Sequence, residues 1–364
     1  MSGAGLIEVD RKASLPIYSQ IERHFAGLIE RGRLKPGERL PGVPTLMRRI
    51  GVNYRTVRQA YQGLEQRGLV RVEKGRGTFV AQETDSTATR CIAVLHSDPL
   101  EIESEHQYYT HGVWRGIREE LEASGLQVRY EVVEPGNDRW LDAGDGFIVF
   151  AARTSTAAVV ERLTAAGKPV VATAGEPGHC PVVKSDDGQG IGLLMEHLFE
   201  LGHRRIALIN ASADWFSGRL RLDAYCRKMA ERGLPMDPSW IHSASDFYME
   251  QPAEQEQLWQ WMFERPNRPT AVVACTAYLA MSVLQMLHRH RLYVPQEVSV
   301  CGFDDPRAAA FCCPALTTVR QALEQIGRQA VRTLTRLMEG GQADDTLLPV
   351  DLVIRESTGK TGDL

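Results

Sequence analysis

The stretch GVNYRTVRQAYQGLEQRG, residues 51–68, sets Arg55 and Arg58 beside Tyr54 and Thr56 just after Asn53, an N-cap residue type. A guanidinium in the first turns of a helix can donate a bidentate pair to guanine O6 and N7, while a threonine hydroxyl and helix amides suit phosphate oxygens. A few residues on, Lys74-Gly75-Arg76-Gly77 places two cations between glycines that let a backbone come close to a partner. Each pair taken alone is also what a solvated helix face and an exposed turn look like.

The elements around these residues decide between the two readings. Ile17, Ile21, Phe25, Leu28 and Ile29 recur at helical spacing and stop at Gly32. RLKPGERLPG is turn chemistry, and Leu46, Ile50 and Val52 bracket a short helix that turns at Gly51. Val57, Ala60, Tyr61 and Leu64 then form the apolar stripe of a third helix, with Arg55, Arg58, Gln59 and Gln62 on its other side. LVRVEKGRGTFV reads as a hairpin. Three helices and a hairpin make a winged helix-turn-helix pattern (α+β) over 1–80. Residues 1–82 carry 15 Lys+Arg against 7 Asp+Glu, whereas the chain as a whole has a net charge of −4. A basic end on an acidic body points to operator DNA as the partner of that end.

AQETDSTATR, 81–90, reads as a linker. From Cys91 onward strand runs (CIAVLH, LQVRYEVV, GFIVFAA, RRIALIN, TAVVACT, VSVCGFD) alternate with helical patterns such as STAAVVERLTAAG and AYLAMSVLQMLHRH. Repeated βα units of this length imply parallel sheets with helices on both faces, and there are enough for a two-lobed α/β domain over 91–358, followed by a short tail, 359–364.

Several chemistries find no support. The seven cysteines (91, 180, 226, 275, 301, 312 and 313) form no CxxC, so reduced and mostly buried thiols are expected, with no zinc site. GQGIG at 188–192 lacks the third glycine of a dinucleotide fingerprint, and Asp186 and Asp187 put negative charge where a pyrophosphate would sit, which fits an aspartate-capped helix better. No GxSxG elbow occurs. With neither an apolar leader in MSGAGLIEVDRKASLP nor a run of membrane length, a cytoplasmic location without membrane or cofactor is expected.

LPIYSQI, LKPGERLPG, IGVNYRTVRQAYQGLEQRGLV and KGRGTFV resemble the amino-terminal domain of GntR-family transcription regulators over roughly 14–81. The resemblance implies operator binding through Asn53, Tyr54, Arg55, Thr56, Arg58, Lys74, Arg76 and Gly77. Gly42, Val43 and Pro44 stand where the family has Ser-x-Arg, which moves the reading onto Arg55, Arg58 and the wing.

The body resembles the sugar-binding domain of LacI/GalR regulators, itself similar to periplasmic binding proteins. The carrying residues are SDDGQGIGLLMEHLFELGHRRIALIN, SGRLRLDAY, VPQEVSVCGFDD, PALTTVRQALEQIGRQAVRTL and LPVDLVIREST. The combination resembles arabinose-responsive repressors. It implies an effector cleft between two lobes, with Arg221 as a clamp, Ser217 one turn before it, Asp304 as a hydroxyl acceptor, and Tyr109 and Phe247 as rings that stack on ligand. Cys275-Thr276 replaces the family's ligand-bonding Asn-Asp, which puts Cys275 among the effector-binding residues as a soft thiol beside one hydroxyl, and the LacI-type hinge helix is missing. A turn cap for Asp304 and core positions for the rings are the plain alternatives. The rival is an enzyme-like body resembling a pyridoxal-phosphate enzyme, which needs a Schiff-base lysine; Lys168, Lys184, Lys228 and Lys360 offer no such context. The expectation is a homodimeric, non-enzymatic transcription regulator, a repressor controlled by a small sugar-like effector.

Overall fold

A computed structural model describes residues 9, 16–66, 68–73, 76–81, 90–96, 108–133, 138–150, 156–176, 178–212, 214–244 and 252–361. The chain divides into two compact units, residues 1–89 and 90–364.

In the first unit, α1 (Ile17–Glu30), α2 (Val43–Ile50) and α3 (Tyr54–Gln66) precede a hairpin of β1 (Val70–Glu73) and β2 (Gly77–Val80). The apolar stripes meet in one core: Ile21, Phe25 and Leu28 from α1, Leu46 from α2, Val57, Ala60, Tyr61 and Leu64 from α3, and Val70 and Val80 from the hairpin are all buried. Each large side chain so buried contributes about 1.5–3 kcal/mol. Phe25 meets Tyr61 edge to face at 5.9 Å, and the Tyr61 hydroxyl donates to Pro41 O at 2.7 Å, tying α3 to the loop before α2. Gly51 ends α2 in the left-handed region, φ 67°, where a side chain would be strained. Asn53 then caps α3, its Oδ1 accepting from Thr56 N at 2.8 Å.

The second unit holds two sheets. The first is four-stranded and parallel, ordered β4-β3-β5-β6, from β3 (Cys91–His96), β4 (Gln127–Val132), β5 (Gly146–Val149) and β6 (Val170–Ala172). Its helices are α4 (Tyr108–Ser124) and α5 (Ala157–Ala165). The chain then passes through β7 (Val183–Ser185) to α6 (Asp187–Glu200) and a six-stranded sheet. That sheet is built from β8 (Ile206–Asn210), β9 (Ile241–Ser243), β10 (Ala271–Ala274), β11 (Ser299–Phe303) and β12 (Thr317–Gln321), with α7 (Phe216–Glu231), α8 (Pro252–Met262) and α9 (Ala277–Arg289) around it.

From β12 the chain recrosses. Helix α10 (Leu323–Met338) packs on α4 of the first lobe, so closely that a Cβ on Gly116 would lie 2.0 Å from Glu324 O and one on Gly327 2.1 Å from Val113 O. β13 (Thr346–Leu348) pairs in parallel with β7, and β14 (Val350–Val353) returns to the edge of the larger sheet. β14 runs antiparallel to β12, so this sheet is mixed, where the alternation of strands and helices suggested purely parallel pairing. The result is two α/β lobes joined by three crossings.

All seven cysteines are free, but only Cys275 and Cys301 are buried. Cys91, Cys180, Cys226 and Cys312 are half-buried and Cys313 is exposed, which corrects the expectation of mostly buried thiols: these side chains sit at strand ends and on lobe surfaces rather than in the sheet interiors.

Candidate functional site

On the first unit, the core stripe of α3 leaves Asn53, Tyr54, Arg55 and Arg58 exposed on one side, and Tyr54 is 53% exposed despite its apolar ring. Arg55 and Arg58 make no ion pair among the described residues, so both guanidinium forks are free for an external acceptor. Thr56 is half-buried, its hydroxyl held on Asn53 Oδ1 at 2.9 Å. In the wing, Arg76 is exposed and paired with Glu73 at 2.6 Å. Gly77 has φ 129°, and a Cβ there would come 2.7 Å from Arg39 Nε. Lys74 lies outside the described residues. Arg39 and Arg49, on the same unit, escaped the sequence reading; Arg49 is exposed on the last turn of α2, where only the register of that helix reveals it.

In the second unit the candidates converge where the lobes meet, at the carboxyl ends of the strands. Arg221 on α7 is buried; its Nε donates to Asp187 Oδ1 at 2.7 Å, its Nη1 donates to the Cys275 carbonyl, and its guanidinium lies 3.6 Å over the Phe303 ring. Gly190 makes room for that ring, since a Cβ there would sit 2.4 Å from Phe303 Cε2. Asp304 follows β11 with φ 78°, and its Oδ1 accepts from Gln321 Nε2. Burial works against the charge on Arg221, yet the carboxylates of Asp187 and Asp304 outweigh it and leave its pKa raised. Burial likewise raises the Asp304 carboxyl, with Arg221 and Gln321 holding it only partly back.

Tyr109, from α4 of the other lobe, is half-buried and donates its hydroxyl to the Thr173 carbonyl. Burial pushes its pKa up, and the charges of Asp187, Asp304 and Arg221 all reach it, which brings the two lobes onto one site. Ser217 stands half-buried one turn before Arg221. Cys275 is fully buried, its thiol pushed up to about 12 chiefly by burial, so it takes part through its carbonyl. Phe247 lies outside the described residues.

Asp187 escaped the sequence reading because it sits beside Asp186 at a helix start, where both looked like caps. Only Asp186 caps, accepting from Gln189 N at 2.8 Å, while Asp187 turns to Arg221. Gln321 and Asn210 were also missed; Asn210 donates to Gly218 O at 3.0 Å while its Oδ1 is buried without a partner.

Residues 17–80 match the family described as bacterial regulatory proteins, gntR family, and residues 195–358 match the periplasmic binding protein-like domain. The chain joins a GntR-type DNA-binding domain to a LacI-like periplasmic-binding-protein-like domain. The arabinose metabolism transcriptional repressor of Geobacillus stearothermophilus is 27% identical over 375 residues, covering 96% of this chain and 99% of that protein. The transcriptional repressor CytR of Escherichia coli (strain K12) is 30% identical over 217 residues, 59% of this chain and 62% of that protein. A crystal structure of the Lac repressor dimer bound to operator and the anti-inducer ONPF matches 76% of this chain and 97% of its own with a TM-score of 0.65 at 22% identity, a likeness of fold. This GntR–LacI hybrid is a DNA-binding transcription regulator. No helix among its described residues is long and apolar enough to cross a membrane.

Proposed function

We propose that this regulator is a cytoplasmic homodimeric repressor, released from an imperfectly palindromic operator when its two-lobed unit closes on a small, uncharged, sugar-like effector. The observation that carries the reading is the Asp187–Arg221–Asp304 constellation, held between lobes with Tyr109 opposite. Such a set offers a polyol two carboxylate acceptors and one rigid donor fork, with a phenol ring beside them.

Charge favours an uncharged ligand. The constellation has two carboxyl groups for one guanidinium, and the arginines around it are committed: Arg219 of α7 to Glu176, Arg320 and Arg355 to Asp305. Lys184, on β7, places its Nζ on the Gly175 carbonyl at 3.0 Å. Among the described residues, a phosphorylated sugar would meet Asp187 and Asp304 with no uncommitted cation beside them. The near full-length likeness to a repressor named for arabinose metabolism supports the class of effector and the sign of regulation.

The test is DNA enriched from a random duplex library on the immobilised protein, followed by a mobility shift against uncharged sugars, their phosphates and nucleosides. Release of the enriched duplex by an uncharged sugar or polyol supports the reading. Tighter DNA binding with that ligand reverses the sign, and insensitivity to every class refutes effector control by this cleft.

A further inference from the structure

On the wing, alternate residues of β1 share a face, so Arg71 and Glu73 stand on the same side of the hairpin. Their cross-strand partners on that side are Phe79 and Gly77. Over Phe79 lies the Arg39 guanidinium, 5.9 Å from the ring centroid, and the same side chain fills the space beside Gly77. Arg76 returns from the hairpin tip to the same place. Two arginines thus close on one carboxylate: Glu73 pairs with Arg76 at 2.6 Å and with Arg71 at 3.2 Å, while Arg39 lies over the opposite strand.

Glu73 is an unexpected group on a surface built to meet phosphate. A carboxylate there repels the DNA backbone and holds the two guanidinium groups whose charge gives the wing its affinity. Its side chain is only 23% exposed, whereas that of Arg76 is 76% exposed, so the arginine can swing away while the acid stays. An ion pair whose cation is this exposed is weak enough for a well-placed phosphate to draw the arginine away.

We infer that Glu73 is an internal competitor for the wing arginines: it lowers the regulator's affinity for DNA of any sequence and so leaves discrimination to the recognition helix. A phosphate set at the right distance by a fitted operator displaces it, whereas the looser contacts of a random duplex do so less completely. Glu73 is therefore a positioning residue acting through Arg71 and Arg76, not a reader of bases.

The test uses the full chain and a fluorescent mixed-sequence duplex, with binding followed by anisotropy across a series of KCl concentrations. Glu73→Gln should bind this duplex about three- to tenfold more tightly at low salt, with a log–log salt slope steeper by about one unit, since about one more phosphate is neutralised. Glu73→Asp, which keeps the charge, should stay near the parent. Unchanged or weaker binding by a Glu73→Gln protein that melts like the parent overturns the inference, and weaker binding would make Glu73 a DNA contact in its own right. The double variant guards against a purely structural effect. Arg76→Ala should cost more in the Glu73→Gln background than in the parent, because Arg76 is then free to bind; equal costs in both backgrounds would also overturn it.

Discussion

Arginine does opposite work in the two units. On α3 of the DNA-binding unit, Arg55 and Arg58 stand exposed with no carboxylate partner among the described residues, their charge offered outward. In the ligand unit Arg221 is buried, hydrogen-bonded to Asp187, stacked on Phe303 and held between two carboxyl groups. An exposed, unpaired guanidinium suits a highly charged, mobile partner whose counterions leave on binding. A buried, committed one suits a small neutral ligand, because its remaining donors are fixed in direction and its charge is already balanced. Residue type alone therefore says little about the partner. Burial and the nearest carboxylate decide.

Removing Arg221 breaks the contrast most severely. Arg221→Ala leaves Asp187 and Asp304 buried without a counter-charge and should cost about 3–5 kcal/mol of stability, as breaking a buried pair does, read as a lower melting midpoint. Effector binding, followed by calorimetry, should vanish, while mixed-sequence DNA binding at a temperature where the variant is folded should persist.

Gly190→Ala strikes the same arginine from beneath. The new methyl must displace the Phe303 ring on which the guanidinium rests, at about 1–3 kcal/mol for overpacking, and effector affinity should fall although no ligand-facing atom has been removed. Chemical denaturation and calorimetry read the two effects.

In the other unit, Arg58→Ala should weaken DNA binding about tenfold and flatten the salt slope by about one unit if the contact is to phosphate, or relax preference at one base pair if it reads guanine. Effector affinity should not move in either case.

The smallest effect concerns pH. Burial raises the folded-state pKa of Asp304 above its ordinary value of 3.8, so the protonated form is favoured by folding. The stability linked to it is fully present below the unfolded value and is lost as pH rises through the raised one. Asp304→Asn, which also tolerates the positive φ, should remove that pH dependence and raise the melting midpoint of the unliganded protein slightly at neutral pH, while weakening effector binding.

The DNA-binding unit was largely legible in the sequence because its signals are local. The stripe Val57, Ala60, Tyr61 and Leu64, the stop at Gly51 and the cap at Asn53 each follow from spacing within a few residues. The candidate ligand site was legible only in part. Arg221 and Asp304 were reached through resemblance, but Asp187 lies 34 positions before Arg221 and looks like half of a capping pair; its role depends on how α6 and α7 pack. Cys275 was read as a ligand group from its place in a motif, and the structure buries its thiol and offers its carbonyl to Arg221. Glu73 was hidden for the same reason, since only the register of the hairpin brings it onto the arginines.

Whether the cleft takes an uncharged ligand through Arg221 is measured by a thermal-shift titration of the full chain and of Arg221→Ala with uncharged sugars and polyols beside their phosphorylated counterparts. A ligand that binds only the folded state raises the melting midpoint by mass action. An uncharged member of the set should raise the midpoint, its phosphate should not, and the variant should lose the rise. A rise with the phosphate alone, or one that survives the loss of Arg221, would contradict it.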